Sequence, residues 1–172
     1  GFDPAAIGSI VLKSGGKQVT LTRQGDLFVV VEKDRYPAKM SQINYLVTSC
    51  LDIKTSELIT GAKANFPELG VGDEKPVVSV TFLKPDKSVI AGILIGRQSS
   101  DMQGTYVRLA SGDKAYLSVN APPLQMGAMD FINNTLTEHP LDDVAMVKVE
   151  GPEGGYVITK AVNRGAGLAN VP

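Results

Sequence analysis

The sequence lacks tryptophan altogether and contains only one cysteine, Cys50, and one histidine, His139. A lone cysteine cannot form an internal disulfide, so the cysteine count does not identify a redox compartment. One histidine and one cysteine also fall short of the four nitrogen and sulfur ligands that a zinc site requires. We therefore predict neither a metal site nor a cofactor.

A strong charge of one sign is absent too. The 17 Lys and Arg residues are balanced by 18 Asp and Glu residues, and the formal net charge is -1. This balance gives no electrostatic bias toward nucleic acid or an anionic membrane, and we expect neither as a direct partner. Hydrophobic residues at 43% and charged residues at 20% are typical of a globular protein.

Long hydrophobic segments are missing as well. The longest apolar run, Val89–Gly96, is far shorter than the roughly 20 residues of a membrane helix, and it predicts a buried strand. The chain begins with GFDP, without methionine or a signal peptide. We expect that an N-terminal segment was removed and that any membrane contact belongs to that segment. The ending GAGLANVP has no capping pattern, so we also expect a chain cut from a longer protein.

Alternating apolar residues predict two groups of strands, each forming an antiparallel meander. The first group reads IGSIVLK, KQVTLTR and LFVVVEK, separated by SGG and QGD turns and ended by Tyr36-Pro37. The second group reads VVSVTFLK, SVIAGILIG, TYVRLA and AYLSV, with turns at Pro85-Asp86-Lys87 and at Ser111-Gly112-Asp113-Lys114.

Between the meanders, apolar residues recur at steps of three and four, which predicts one long amphipathic helix packed on a sheet face. Its stripe consists of Met40, Ile43, Leu46, Val47, Cys50 and Leu51. The following ITGAKANFPELGVGDEKP is rich in glycine and proline and predicts a connector with a short turn of helix. A second short helix is predicted after the second meander. It includes Met126, Met129, Phe131, Ile132 and Leu136.

The last part of the chain repeats the pattern of its beginning. Residues 6–23, shifted by 137 positions, align without a gap to residues 143–160. The superimposed apolar pairs are Ile10 and Val147, Leu12 and Val149, Val19 and Tyr156, and Leu21 and Ile158. We therefore predict that residues 144–160 form two antiparallel strands, docked on an existing sheet, that begin a second repeat unit.

These patterns predict an α+β fold. It comprises a mainly antiparallel β-sheet in two meanders, one long amphipathic helix and a C-terminal hairpin that starts a second repeat. The predicted domains are residues 1–125 as the first repeat unit, 126–143 as a short helix and linker, and 144–172 as a truncated second unit.

Two serine-lysine pairs, Ser14 with Lys17 and Ser111 with Lys114, have the spacing found in serine acylases. Both pairs fall in predicted turns, and the accompanying Ser-Asp-Asn and Lys-Thr-Gly motifs are absent from the sequence. His139 lies beside a proline in a polar segment, without a Gly-x-Ser-x-Gly motif. We predict no catalytic residues and no enzymatic activity. A hydrolase built on Ser111 and Lys114 remains a rival that requires both side chains within hydrogen-bond distance in a cleft.

Other motifs favour structural roles. Cys50 belongs to the apolar stripe of the long helix and is expected to pack in the core. Asp142 and Asp143 are adjacent, so their side chains diverge, and they lack the spacing of a calcium site. Gly70-Val71-Gly72 lacks the Gly-Lys-Ser/Thr end of a phosphate loop. Asn133-Asn134-Thr135 matches the glycosylation sequon, which is a weak pattern.

Tyr106, Arg108 and Tyr116 are the candidate ligand- or partner-binding residues. Aromatic and arginine side chains on one hairpin can anchor a protein partner or stack on a sugar. Ordinary cross-strand pairing, or cover by a helix, is the structural alternative for the same residues.

Taken in order, these segments resemble a bacterial family, Domain of Unknown Function 4340, from about Ile7 to Leu124 and again from Val144. The resemblance is carried by IGSIVLKSGGKQVTLTR, LFVVVEKDRYPA, PELGVGDEKPVVSVTF, ILIG, TYVRLASG and KAYLSV. The chain has Phe28 where the family often has tryptophan, and Leu69-Gly70-Val71 where it often has Tyr-Gly-Leu. Both swaps keep apolar bulk, so the fold that the resemblance implies is unchanged.

The resemblance implies an accessory protein linked with ABC-type transport systems, including gliding-motility types, and it carries no catalytic residues. It also implies tandem units and a β-rich part outside the cytoplasm, in the periplasm or anchored facing it. We therefore expect a non-catalytic scaffold module of the cell envelope that contacts other proteins, including ABC transporter subunits. The alternative is an extracytoplasmic module that binds a glycan or a small molecule through the tyrosine-arginine hairpin. The sequence leaves the oligomeric state open.

Overall fold

A computed structural model describes residues 3–124, 126–133, 144–152 and 154–159. The chain divides into two compact units, residues 1–133 and residues 134–172. No helix in the described ranges has the length and apolar character needed to cross a bilayer.

The first unit is built on a nine-stranded sheet in which every neighbouring pair is antiparallel. Its strands are β1 (Ser9–Ser14), β2 (Lys17–Gln24), β3 (Leu27–Val30), β4 (Tyr36–Pro37), β5 (Thr55–Thr60), β6 (Val78–Leu83), β7 (Val89–Gln98), β8 (Thr105–Leu109) and β9 (Ala115–Ser118). They lie in the order β4-β3-β2-β1-β6-β7-β8-β9-β5. The two predicted meanders are both present, and pairing of β1 with β6 joins them into one sheet.

Two α-helices, α1 (Met40–Leu51) and α2 (Phe66–Leu69), accompany the sheet. Helix α1 connects β4 to β5, which are the two edge strands, so it crosses one face of the sheet. Short 3-10 turns are found at Pro4–Ala6, Val31–Lys33, Lys63–Asn65 and Ala128–Phe131. The described part of the chain is therefore mainly antiparallel sheet with few and short helices.

Helix α1 lies where the apolar stripe predicts it, but it is not long. It has 12 residues, which gives three turns and a length of about 18 Å. Its buried residues are Ile43, Leu46, Val47 and Cys50. Leu51, the last residue of the predicted stripe, is exposed at the end of the helix. The helix stops here because the chain turns at Asp52 and then enters the edge strand β5.

The main core lies between α1 and the face of the sheet that the helix crosses. It collects side chains from both meanders, including Ile10, Leu12 and Phe82, which are at most 1% exposed. Phe131 closes the core from the C-terminal side of the unit, and its carbonyl accepts a hydrogen bond from the amide of Lys39 just before α1. The predicted second helix appears as the 3-10 turn Ala128–Phe131, while residue 136 of that prediction lies outside the described ranges.

The described residues of the second unit form a hairpin, β10 (Met146–Gly151) and β11 (Gly154–Thr159), which is a two-stranded sheet of its own. The six residue pairs of this hairpin correspond one by one to the six pairs of β1 and β2 after a shift of 137 positions. Ser9 pairs with Thr22 in the first hairpin, and Met146 pairs with Thr159 in the second. The predicted antiparallel strands are therefore present, with the same register as the first hairpin.

Candidate functional site

The β8–β9 hairpin carries the three residues selected as binding candidates, but it does not bring them together. Tyr106 is opposite Leu117 in the ladder, whereas Tyr116 is opposite Val107. Residues opposite each other share a face, and neighbours along a strand point to opposite faces. Tyr106 and Arg108 therefore lie on one face of the sheet, and Tyr116 lies on the face that α1 covers.

The side chain of Arg108 is almost completely buried and makes several internal contacts. Its Nε donates to the carbonyl oxygen of Val71 at 3.0 Å, and its Nη1 donates to the carbonyl oxygen of Gly112 at 2.8 Å. Its Nη2 forms an ion pair with Asp73, and the guanidinium stacks 4.6 Å above the ring centroid of Phe66. These contacts fasten the segment 66–73 to the sheet and leave little of the guanidinium for a ligand.

The segment held by Arg108 forms a small second core on this face. Its buried members are Phe66, Val71, Leu94 and Ala115, and Leu69 and Tyr106 pack against them. Helix α2 ends at Gly70, whose φ of 75° lies in the left-handed region that favours glycine. A Cβ at Gly96 would overlap the carbonyl oxygen of Leu69, so glycine at this position lets the segment lie directly on β7. Tyr106 and Arg108 therefore take part in internal packing.

The opposite face of the same hairpin lines a cleft of about 660 Å³. The cleft lies where the end of α1 meets β7, β8 and β9. Its apolar lining includes Cys50, Leu51, Ile53, Ile90, Ala91 and Ile93. Its polar side chains are Thr55, Asp113, Lys114 and Tyr116, together with Arg108 at the border. The sequence analysis grouped Tyr116 with Tyr106 and Arg108 as residues of one hairpin, and it did not find this cleft, because the walls come from residues far apart in the chain.

Cys50 lies in the wall of this cleft and is buried. Burial raises the pKa of its thiol to about 12, because the low-polarity surroundings disfavour the thiolate. A thiol with such a pKa is almost entirely protonated at neutral pH and is a poor nucleophile. Cys50 therefore contributes apolar surface to the cleft.

The residues considered for hydrolysis do not meet its geometric requirement. Ser111 and Lys114 are both exposed at the turn before β9, and Ser14 and Lys17 are the last pair of the β1–β2 ladder. Within the described ranges no side-chain hydrogen bond joins Ser111 to Lys114 or Ser14 to Lys17, and no group of three His, Cys, Asp or Glu side chains could hold a metal ion. Residues 134, 135, 139, 142 and 143, which belong to the sequon, the histidine and the aspartate pair, lie outside the described residues.

The hairpin of the second unit presents an apolar face of its own. Val147 pairs with Ile158 and Val149 pairs with Tyr156, so the four side chains are adjacent on one face. All four are exposed, by 39% to 60%. We call these four residues the hairpin face. Their counterparts in the first hairpin, Ile10, Leu12, Val19 and Leu21, are at most 1% exposed.

A model of the family described as Domain of unknown function (DUF4340) matches residues 29–170. The chain belongs to this family. The DUF4340 match begins inside β3 and includes both the cleft and the hairpin face. No curated protein and no solved structure gives a significant match to this chain.

Proposed function

We propose that this DUF4340 chain is a non-catalytic accessory or scaffold module of the bacterial cell envelope. It acts outside the cytoplasm as an auxiliary component of an ABC-type transport system, and it works by contact with other proteins. The observation that carries the contact mechanism is the exposed hairpin face. The assignment to the envelope and to ABC-type transport rests on the family resemblance described above.

The hairpin face supports protein contact because it exposes the side chains that a core normally contains. Four adjacent apolar residues on a two-stranded sheet form a contiguous patch, and such patches on soluble proteins are typical of interaction sites. A two-stranded hairpin is also marginally stable alone in water. Covering this face would therefore both stabilise the hairpin and remove apolar surface from water.

We also propose that the hairpin is the first element of a second repeat unit, with the same fold as the first unit. The support is the correspondence of all six ladder pairs after one constant shift. In the first unit the equivalent face packs under α1 and against Phe28 and Val30. The hairpin face would then be covered by apolar side chains in the same way, either from the rest of that repeat unit or from a partner protein.

The proposal is tested by co-purification from bacterial envelope extracts, using the full chain and two variants matched for exposure. Ile158 is 59% exposed in the hairpin face, and Leu58 is 53% exposed on β5. We expect Ile158→Asp to lower the recovery of ABC transporter subunits at least about fivefold, while Leu58→Asp leaves it unchanged. Recovery of no transporter or envelope component by the unmodified chain, or equal losses in both variants, contradicts the proposal.

Small-molecule binding is the second candidate function, and the cleft beside Tyr116 favours it. Ligand sites are usually concave, mostly apolar and about 300 to 1,000 Å³ in volume, and the cleft has these properties. A glycan is less well suited than an apolar molecule, because the donors of Arg108 are engaged and its guanidinium packs on the other face.

A further inference from the structure

We propose that the cleft beside Tyr116 binds a long-chain carboxylate, with its apolar chain along the cleft and its anionic group at Lys114. The inference rests on the small-molecule candidate and names its ligand class. It does not depend on protein contact, because the hairpin face belongs to the other unit of the chain.

The lining of the cleft determines the body of the ligand. The end of α1 supplies Leu51, the link from α1 to β5 supplies Ile53, and β7 supplies Ile90, Ala91 and Ile93. These side chains offer no hydrogen-bonding groups, so a polar body such as a sugar would lose its bonds to water without replacement. An unbranched hydrocarbon chain has no such loss, and each methylene group that it buries strengthens binding about fourfold.

The cations near the cleft differ in their availability to a ligand. Arg108 is occupied by Asp73 and by two carbonyl oxygens. Lys114 lines the cleft and is exposed, and among the described residues its ammonium group has no ion-pair partner. Tyr116, two residues further on, places a phenol in the same lining. An ammonium group and a hydroxyl can together hold a carboxylate.

One acidic residue, Asp113, also lines the cleft and opposes this reasoning. It precedes Lys114 in the loop before β9, and both side chains are exposed. Lys114 lies nearer to Tyr116 along the chain, and we assign the anionic group of the ligand to it for that reason. A cationic ligand with the same tail tests this assignment, since Asp113 would favour it and Lys114 would disfavour it.

The first experiment is calorimetric titration of the full chain with dodecanoate below its micelle concentration. Dodecyltrimethylammonium provides the same chain length with the opposite charge, and butanoate provides the carboxylate with a short tail. We expect dodecanoate to bind at least about tenfold more tightly than either control. No binding of dodecanoate, or equal binding of the cationic ligand, overturns the proposal.

Amide chemical shifts then locate the ligand. We expect dodecanoate to shift the resonances of Cys50, Ala91 and Tyr116, which line the cleft, and to leave residues 146–159 unchanged. Shifts centred on the hairpin face overturn the proposal, because they show that the ligand covers the exposed apolar patch. Since the protein-contact proposal depends on the hairpin face alone, this readout separates the failure of one proposal from the failure of the other.

Two pairs of measurements test the named residues. Lys114→Glu reverses the charge at the cleft, and Lys17→Glu reverses another exposed charge, at the start of β2. We expect Lys114→Glu to weaken dodecanoate binding about tenfold and to strengthen binding of dodecyltrimethylammonium, while Lys17→Glu changes both less than about twofold. Leu51→Gln, at the partly exposed rim, should weaken both ligands about threefold. Equal effects of the two lysine variants overturn the assignment.

Discussion

Replacement of Arg108 by methionine tests the role that the structure gives this side chain. Methionine retains the apolar contact with Phe66, but it cannot donate to the carbonyl oxygens of Val71 and Gly112. The carbonyl oxygen of Val71, in the segment 66–73, and that of Gly112, in the loop after β8, would then lose their donor. We expect a large loss of stability, concentrated in the second core.

The size of this loss follows from the separate contacts. Each hydrogen bond from a charged donor contributes about 1.5 to 3 kcal/mol, and the stack on Phe66 adds about 1 kcal/mol. The Asp73 side chain is 72% exposed, so its ion pair with Arg108 contributes less than about 1 kcal/mol. The two lost hydrogen bonds set the expected loss of unfolding free energy for Arg108→Met at about 3 to 6 kcal/mol, because methionine keeps a contact with the Phe66 ring. Asp73→Asn should lower the free energy of unfolding by less than about 1 kcal/mol.

Urea unfolding followed by far-UV circular dichroism measures both variants, since the chain has no tryptophan for fluorescence. Arg108→Lys is a useful third variant, because lysine keeps the positive charge but lacks the forked guanidinium. Its loss of unfolding free energy should lie between those of Arg108→Met and Asp73→Asn. A loss below about 1 kcal/mol for Arg108→Met, or a loss for Asp73→Asn as large as that of Arg108→Met, refutes the reasoning. Either result would also return Arg108 to the list of residues available to a ligand.

Two further predictions concern the cores. Burial raises the pKa of Cys50 from 9.0 to about 12 in the folded chain. Below about pH 9 the thiol is protonated in both the folded and the unfolded chain, but between about pH 9 and 12 only the unfolded chain releases the proton, so the folded state loses stability as the pH rises. The stability advantage of the unmodified chain over Cys50→Ala should therefore shrink by about 1.4 kcal/mol per pH unit in that interval. If urea unfolding gives a difference in unfolding free energy between the two chains that does not change with pH, this prediction is wrong. The second prediction is that Gly96→Ala lowers the free energy of unfolding by at least about 2 kcal/mol, because the added methyl group would overlap the backbone of Leu69. At Gly61 an added methyl group makes only an ordinary van der Waals contact, 3.8 Å from the carbonyl oxygen of Asp113, so Gly61→Ala should change stability by less than about 0.5 kcal/mol. Similar effects of the two glycine substitutions would count against close packing at β7.

The sequence predicts strands and α1 well where one face of an element is buried. Val19 and Leu21 alternate with polar neighbours, and both are buried in β2. The stripe of α1 is equally clear, because Ile43, Leu46 and Cys50 follow the helical repeat and all face the core. Local burial patterns of this kind are visible without knowledge of distant contacts.

Strand β5 was missed for the opposite reason. It is an edge strand, and four of its six residues are exposed, so its sequence TSELIT shows no burial pattern. It is defined by pairing with β9, about 60 positions away, and the ladder contains two register shifts. Exposed, irregular edge strands carry little local signal. The cleft escaped prediction in the same way, because its walls at Ile53, Ala91 and Tyr116 are brought together by the pairing of β5 with β9 and of β8 with both β7 and β9.

The face of Tyr116 depends on the register of β8 and β9, which the loop between Leu109 and Ala115 sets. A shift of one residue would move Tyr116 to the side of Tyr106 and Arg108. The hairpin of the second unit was more accessible to prediction, because the first hairpin supplied a template for its register. Docking of that hairpin on a sheet stays a prediction.

The most direct test of the proposed function is site-specific photo-crosslinking in living bacteria, with the full chain carrying a photoreactive residue at position 149 or 158 of the hairpin face. Position 58 on β5, equally exposed, is the control. The contact proposal predicts crosslinks from positions 149 and 158 to an ABC-type transporter subunit, and none to that subunit from position 58. An absence of crosslinks from the hairpin face, or identical products from all three positions, would contradict the claim that this face is the contact surface.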